Sequence, residues 1–128
     1  MYTTLNDAST LHDELAHGTT EIWYSKSKHF RDMTAGSRYL TKQRMLPTAD
    51  TLEKTHTKIG SISTVDLNTI FHLMQGEMWS PNGEARDLIG NSTAGHTSMS
   101  VGDIIVMRTN DGKRIPHMVD NYGFTVLA

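Results

Sequence analysis

Cysteine is absent from this chain. Disulfides, thiolate nucleophiles and cysteine-built zinc sites are therefore excluded, and the absence fits a reducing compartment. No apolar run approaches the ~18–20 residues that a membrane-crossing helix needs. The opening Met-Tyr-Thr-Thr-Leu-Asn-Asp has neither a basic flank nor an apolar stretch, so we expect no signal peptide and no membrane partner, and the cytoplasm as compartment. Apolar residues are also sparse: 37% hydrophobic against 20% charged predicts a globular chain with a thin core and some open loop. A net charge of −2 gives no global pull toward nucleic acid or anionic membrane.

What is present fits one domain. The 128 residues match the usual size of roughly 100–200 residues and one core. Within it we distinguish residues 1–56, with a helix, a strand and an irregular basic segment, from residues 57–128, a helix–helix–meander module. Charge is unevenly spread. Residues 1–25 hold four acidic groups and no basic one, residues 26–58 hold eight basic against three acidic, and the remainder is net −3.

Local patterns predict the elements. Asn6 or Asp7 caps a short helix with Leu11 and Leu15 on one face and Gly18 past its end. Thr20–Ser25 is rich in β-branched and aromatic residues and reads as a strand. From Lys26 to Thr51 periodicity fades, and we expect a long basic loop or irregular insertion, a length that in compact domains signals mobility or function. His56–Ile62 alternates as a strand. Ser63 with Asp66 forms a variant capping box before Leu67, Ile70, Phe71, Met74 and Met78, the stripe of a core-facing helix weakened at Gly76. Ser80-Pro81 starts a second helix, Pro81–Ile89. Val101-Gly-Asp103 turns the chain into a strand from Ile104 to Arg108. Asn110-Asp-Gly112 is a hairpin turn, because Asp-Gly readily supplies positive φ. Ile115–Val119 returns antiparallel, Asn121-Tyr-Gly123 turns again, and Phe124–Leu127 is a last strand. The expected fold is α+β, two consecutive helices packed on a small, mostly antiparallel sheet that ends in a C-terminal β-meander.

Two stretches carry a resemblance. Gly95-His-Thr-Ser-Met-Ser-Val-Gly-Asp-Ile-Ile105 and Met118-Val-Asp-Asn-Tyr-Gly-Phe124, preceded by a helix over Asp66–Gln75, resemble the YodL-like domains of phages and mobile genetic elements. Those domains end in Gly-His-Ser-Leu-Ser-Val-Ser-Asp-Val-Ile, a hairpin and Tyr-Val-Asp-Ser-Phe-Gly-Phe. This chain has one extra residue between His96 and Met99, and Gly102 where the family has serine. The block from Trp79 to Arg86 and Phe30-Arg-Asp32 look similar to hypothetical phage proteins. The resemblance covers about the C-terminal half. It implies an origin in phages or mobile elements and assigns no activity.

Chemistry could sit in three places. His96, Ser98, Ser100 and Asp103 include the side-chain types of a hydrolytic triad, and Glu84 or Asp120 could assist a hydrolase or metal-dependent enzyme centred on His96. Triads assemble from distant segments, however, and four such residues in eight make a turn motif in which Ser100 and Asp103 satisfy amides near Gly102 and His96 pins the loop to a carbonyl. His96, His117, His56, His29, Glu84 and Asp120 have no metal-ligand spacing, and we expect no metal and no cofactor. Second, Lys26, Lys28, Arg31, Arg38, Lys42 and Arg44 interleave with Phe30 and Tyr39, a composition suited to a phosphate backbone or an acidic protein. Third, Trp79 is a core aromatic between the two helices or, with Arg86, part of an interface. We expect a non-enzymatic accessory protein that binds a host or viral protein, with nucleic-acid binding through residues 26–58 as the rival. Self-association of the basic segment with the acidic ends of a second copy is a further arrangement.

Overall fold

In the computed structural model, which describes residues 20–79 and 93–128, the β-type run at Thr20–Ser25 forms β1, and all six of its residues are buried. Its two neighbours are β2 (His56–Ile62) and β3 (Ile104–Arg108), both antiparallel to it. β4 (Arg114–Val119) and β5 (Phe124–Val126) complete a five-stranded antiparallel sheet of order β2-β1-β3-β4-β5. The register between β1 and β2 shifts at Ile22/Trp23, where Gly60 and Lys58 are the successive partners. Ile59 is thus the extra residue of a bulge, and its side chain joins the core.

Alternation along the strands creates two apolar faces, and each has its own helical cover. On one face Ile22, Tyr24, Ile105 and Val119 pack with Ile70, Leu73, Met74 and Trp79. On the other, Trp23, Ile104, Val106 and Met118 pack with Met33, Leu40 and Leu52. β1 is central and covered on both faces, which explains its continuous burial. The α+β expectation holds, with helices on both faces.

The second cover corrects an expectation. Residues 26–51 are not a long loop: a single 3₁₀ turn at Ser27–His29 leads into α1 (Phe30–Met33) and α2 (Ser37–Lys42), and α3 (Leu52–Thr55) follows. Each short helix buries one apolar anchor, Met33, Leu40 and Leu52 in turn. One anchor per helix leaves no 3.6-residue stripe to read, which is why periodicity fades here. The end of α2 is closed by two bonds, Arg44 N to the Thr41 carbonyl and Met45 N to the Leu40 carbonyl, with Arg44 at φ 57. That is a Schellman closure with arginine where glycine is the usual residue.

On the first face, α4 (Leu67–Leu73) carries the predicted stripe, but its cap is Asp66, whose carboxylate accepts from Thr69 N at 2.9 Å, and not Ser63. The helix then breaks, and α5 (Gly76–Trp79) restarts it. At the break Gly76 N donates to Ser98 Oγ (2.8 Å) and the Met74 carbonyl accepts from Met99 N (3.0 Å). The segment before β3 is therefore bonded directly into the gap between the two helices. The meander follows the predicted turns, with positive φ at Gly112 and Gly123. Among the described residues no helix is long and apolar enough to cross a membrane. The predicted helices over residues 6–18 and 81–89, with Glu84 and Arg86, lie outside the described residues.

Candidate functional site

The stretch from His96 to Asp103 is built around one carboxylate. Asp103 is fully buried. Its Oδ1 accepts from Ser25 N (2.8 Å) and Ser25 Oγ (3.3 Å), and its Oδ2 accepts from Ser100 N (2.8 Å) and from His96 Nε2 (2.8 Å). A carboxylate only accepts, so the His96 proton sits on Nε2. One side chain thereby ties β1, the Ser98–Gly102 turn and the imidazole together, the arrangement that lets a buried anion persist. Gly102 is required at this corner: at φ +96 it lies so close to α1 that a Cβ would meet the Met33 Cβ and carbonyl oxygen at 2.6 Å.

Two further histidine contacts define the chemistry. The His96 ring stacks on Tyr24 with centroids 4.6 Å apart and lies 4.5 Å from a tilted Phe30. The carbonyl-pinning role expected of His96 belongs to His56 instead, whose Nε2 donates to the Gly102 carbonyl (2.7 Å) while Nδ1 meets Thr55 Oγ1 (2.7 Å). Burial holds the His56 pKa below its ordinary 6.5, outweighing the Gly102 bond and the Asp103 charge, which push it up; His29 and His96 add to the lowering. Tyr24 Oη donates to the Thr97 carbonyl (2.9 Å) and lies 3.2 Å from that of Met74, and burial raises its pKa well above 10.0.

His96 and Asp103 thus form the pair found in half of a catalytic triad, beside a hollow of about 160 Å³ lined by Ser27, Phe30, Gly95 and His96. The two nearby serines face other tasks. Ser98 Oγ accepts from Gly76 N, and Ser100 Oγ donates to the Ser98 carbonyl at 3.0 Å. Asp120, the proposed helper, serves a separate network: it accepts from Ser37 N and Oγ, Thr125 Oγ1 and Asn121 N, joining α2 to the β4–β5 turn. Burial pushes its carboxyl up, but those hydrogen bonds prevail and hold its pKa at about 2. Among the described residues no three His, Asp or Glu side chains gather as metal ligands.

The open end of the second sheet face holds a cluster that the sequence did not flag. Glu21, 5% exposed, accepts from Trp23 Nε1 (2.9 Å), Arg108 Nη2 (2.9 Å) and Arg114 Nη2 (3.0 Å). Burial pushes its carboxyl up, while the Trp23 and Arg114 bonds and the charges of Arg114 and Lys58 bring it below its ordinary value. A lone acidic residue inside a β-type run was the available signal.

The basic residues lie in the cover of that same face. Lys28, Arg31, Arg38, Lys42 and Arg44 are exposed, and none forms an ion pair among the described residues. Lys26 is tied down, its Nζ donating to the Glu53 carbonyl at 2.8 Å. The opposite cover, residues 63–79, contains Asp66 and Glu77 and no lysine or arginine. The fold thereby places a cationic layer and an acidic layer on opposite faces of one sheet. Trp79 is fully buried and donates Nε1 to the Thr97 carbonyl (2.9 Å), so it belongs to the core and is removed from the interface candidates.

No protein family model, curated protein or solved structure matches this chain. The site must therefore be read from its own geometry.

Proposed function

We propose that this chain is a non-enzymatic accessory protein, of the phage or mobile-element kind that its resemblance to YodL-like domains implies, acting in the host cytoplasm by binding a negatively charged macromolecule. Nucleic acid now stands ahead of an acidic host or viral protein as the partner. The observation that carries this reading is the cationic layer, with five exposed Lys and Arg side chains and no counter-ion for any of them among the described residues. Such an arrangement neutralises phosphates without reorganising the fold. A protein–protein interface core is depleted of charge and enriched in apolar groups. The exposed large apolar residues among those described are only Tyr39, Val65, Tyr122 and Val126.

The test is a fluorescence-anisotropy titration with labelled DNA and RNA across a salt series. We expect binding that weakens as salt rises, and a smaller salt slope when Lys28, Arg31, Arg38 and Lys42 are changed to Gln. Flat titrations at low salt, with capture of an acidic protein through the same four residues, would favour the protein reading instead.

A further inference from the structure

Two residues near α2 are poor choices for the fold alone. Arg44 occupies a left-handed backbone position, φ 57, where glycine closes a helix without steric conflict. Its side chain is exposed, and no hydrogen bond or ion pair of that side chain is found among the described residues. Tyr122 stands at the apex of the β4–β5 turn with 95% of its surface exposed, where any small polar residue would serve. These residues lie toward opposite ends of one helix. Arg38, at the start of α2, lines a hollow of about 280 Å³ together with Ser37, Asp120, Asn121 and Tyr122, while Lys42 and Arg44 stand at its far end.

Resting on the nucleic-acid reading above, we infer that this surface binds a single strand, one base stacking on Tyr122 while Arg38, Lys42 and Arg44 follow the phosphates. A ring with its surface in water offers a whole π-face, which suits any unpaired base and is denied to a base already stacked inside a duplex. The hollow is near the lower end of small-molecule sites, roughly 300–1,000 Å³, and suits one nucleobase. The Asp120 carboxylate in it repels phosphate and accepts N–H groups, so it receives the base edge and leaves the backbone to the cations. The page therefore gives the strand an orientation as well as a charge.

The test compares a labelled mixed-sequence 12-mer as single strand and as duplex, at about 50 mM salt where phosphate contacts are strong. The single strand binds at least about ten-fold more tightly than the duplex. Tyr122→Ala lowers single-strand affinity roughly ten-fold, leaves duplex affinity unchanged, and leaves the melting temperature unchanged because the ring is outside the core. Tyr122→Trp restores single-strand binding. Arg44→Gly binds more weakly and shows a smaller salt slope, although it melts higher. Equal binding of duplex and single strand, or indifference to Tyr122→Ala, overturns the single-strand inference and leaves the broader reading standing. Failure to bind any nucleic acid, with binding of a poly-glutamate peptide instead, overturns both.

Discussion

Around Asp103 both carboxylate oxygens are bonded, whereas along α1 and α2 five cations stand in water without a counter-ion among the described residues. The two regions use polar groups for opposite ends. At the corner, burial makes each hydrogen bond necessary, because a buried charge that loses its partners costs several kcal/mol. In the basic layer, exposure makes each charge nearly neutral for stability and leaves it free to meet something else. The same residue types that hold one region together therefore mark the other as a contact surface.

The comparison breaks most visibly at Asp103. Asp103→Asn keeps the shape but replaces an acceptor with a donor facing Ser25 N or Ser100 N, and should destabilise by about 3 kcal/mol or more in denaturant melts. A loss below about 1 kcal/mol would mean that the corner is not held as described. Glu21→Gln should come next, at about 2 kcal/mol, since its two arginines are partly exposed and can return to water. If Glu21→Gln proves neutral, the open end of the sheet belongs energetically with the basic layer.

Acid sharpens the same contrast. The His56 pKa is held below 6.5, so the unfolded chain binds the proton first as pH falls. Stability is unaffected above that value and declines below it, down to the folded-state pKa. His56→Gln, followed by urea melts from about pH 7 to pH 5, should flatten that decline. Asp120 acts lower: its contribution is complete above 3.8 and fades as pH falls toward about 2. The smallest effect is Arg44→Gly, expected to stabilise by about 0.5–1 kcal/mol through relief of the left-handed backbone. No gain in melting temperature would remove the argument that Arg44 is kept for its side chain.

The difference between the regions also explains what the sequence discloses. Strands β1 to β5 and the turns at Gly112 and Gly123 are local, since β-branched runs and Asp-Gly steps announce themselves. The α4 stripe is equally local, although its cap falls at Asp66 because residues before it stay extended. Helices α1 to α3 are not local: each depends on a single anchor meeting Trp23, Ile104 or Met118 from remote strands. Asp103 was visible as a turn residue, but its bond to Ser25 joins positions 78 apart in the chain and no spacing rule reaches that far. His96 was singled out correctly as a corner residue, with the wrong acceptor. Tyr122 looked like any turn residue until its exposure and the neighbouring Arg38 gave it a setting.

The central claim is that the corner holds the fold while the basic layer meets the partner. Its most direct test is the salt dependence of nucleic-acid affinity for the wild chain beside Lys28→Gln/Arg31→Gln/Arg38→Gln/Lys42→Gln. A slope reduced by about 3 in the fourfold variant, at roughly 0.7 per lost phosphate contact on a single strand, with an unchanged melting temperature, is the result predicted. An unchanged slope, or a variant that no longer folds, would contradict it.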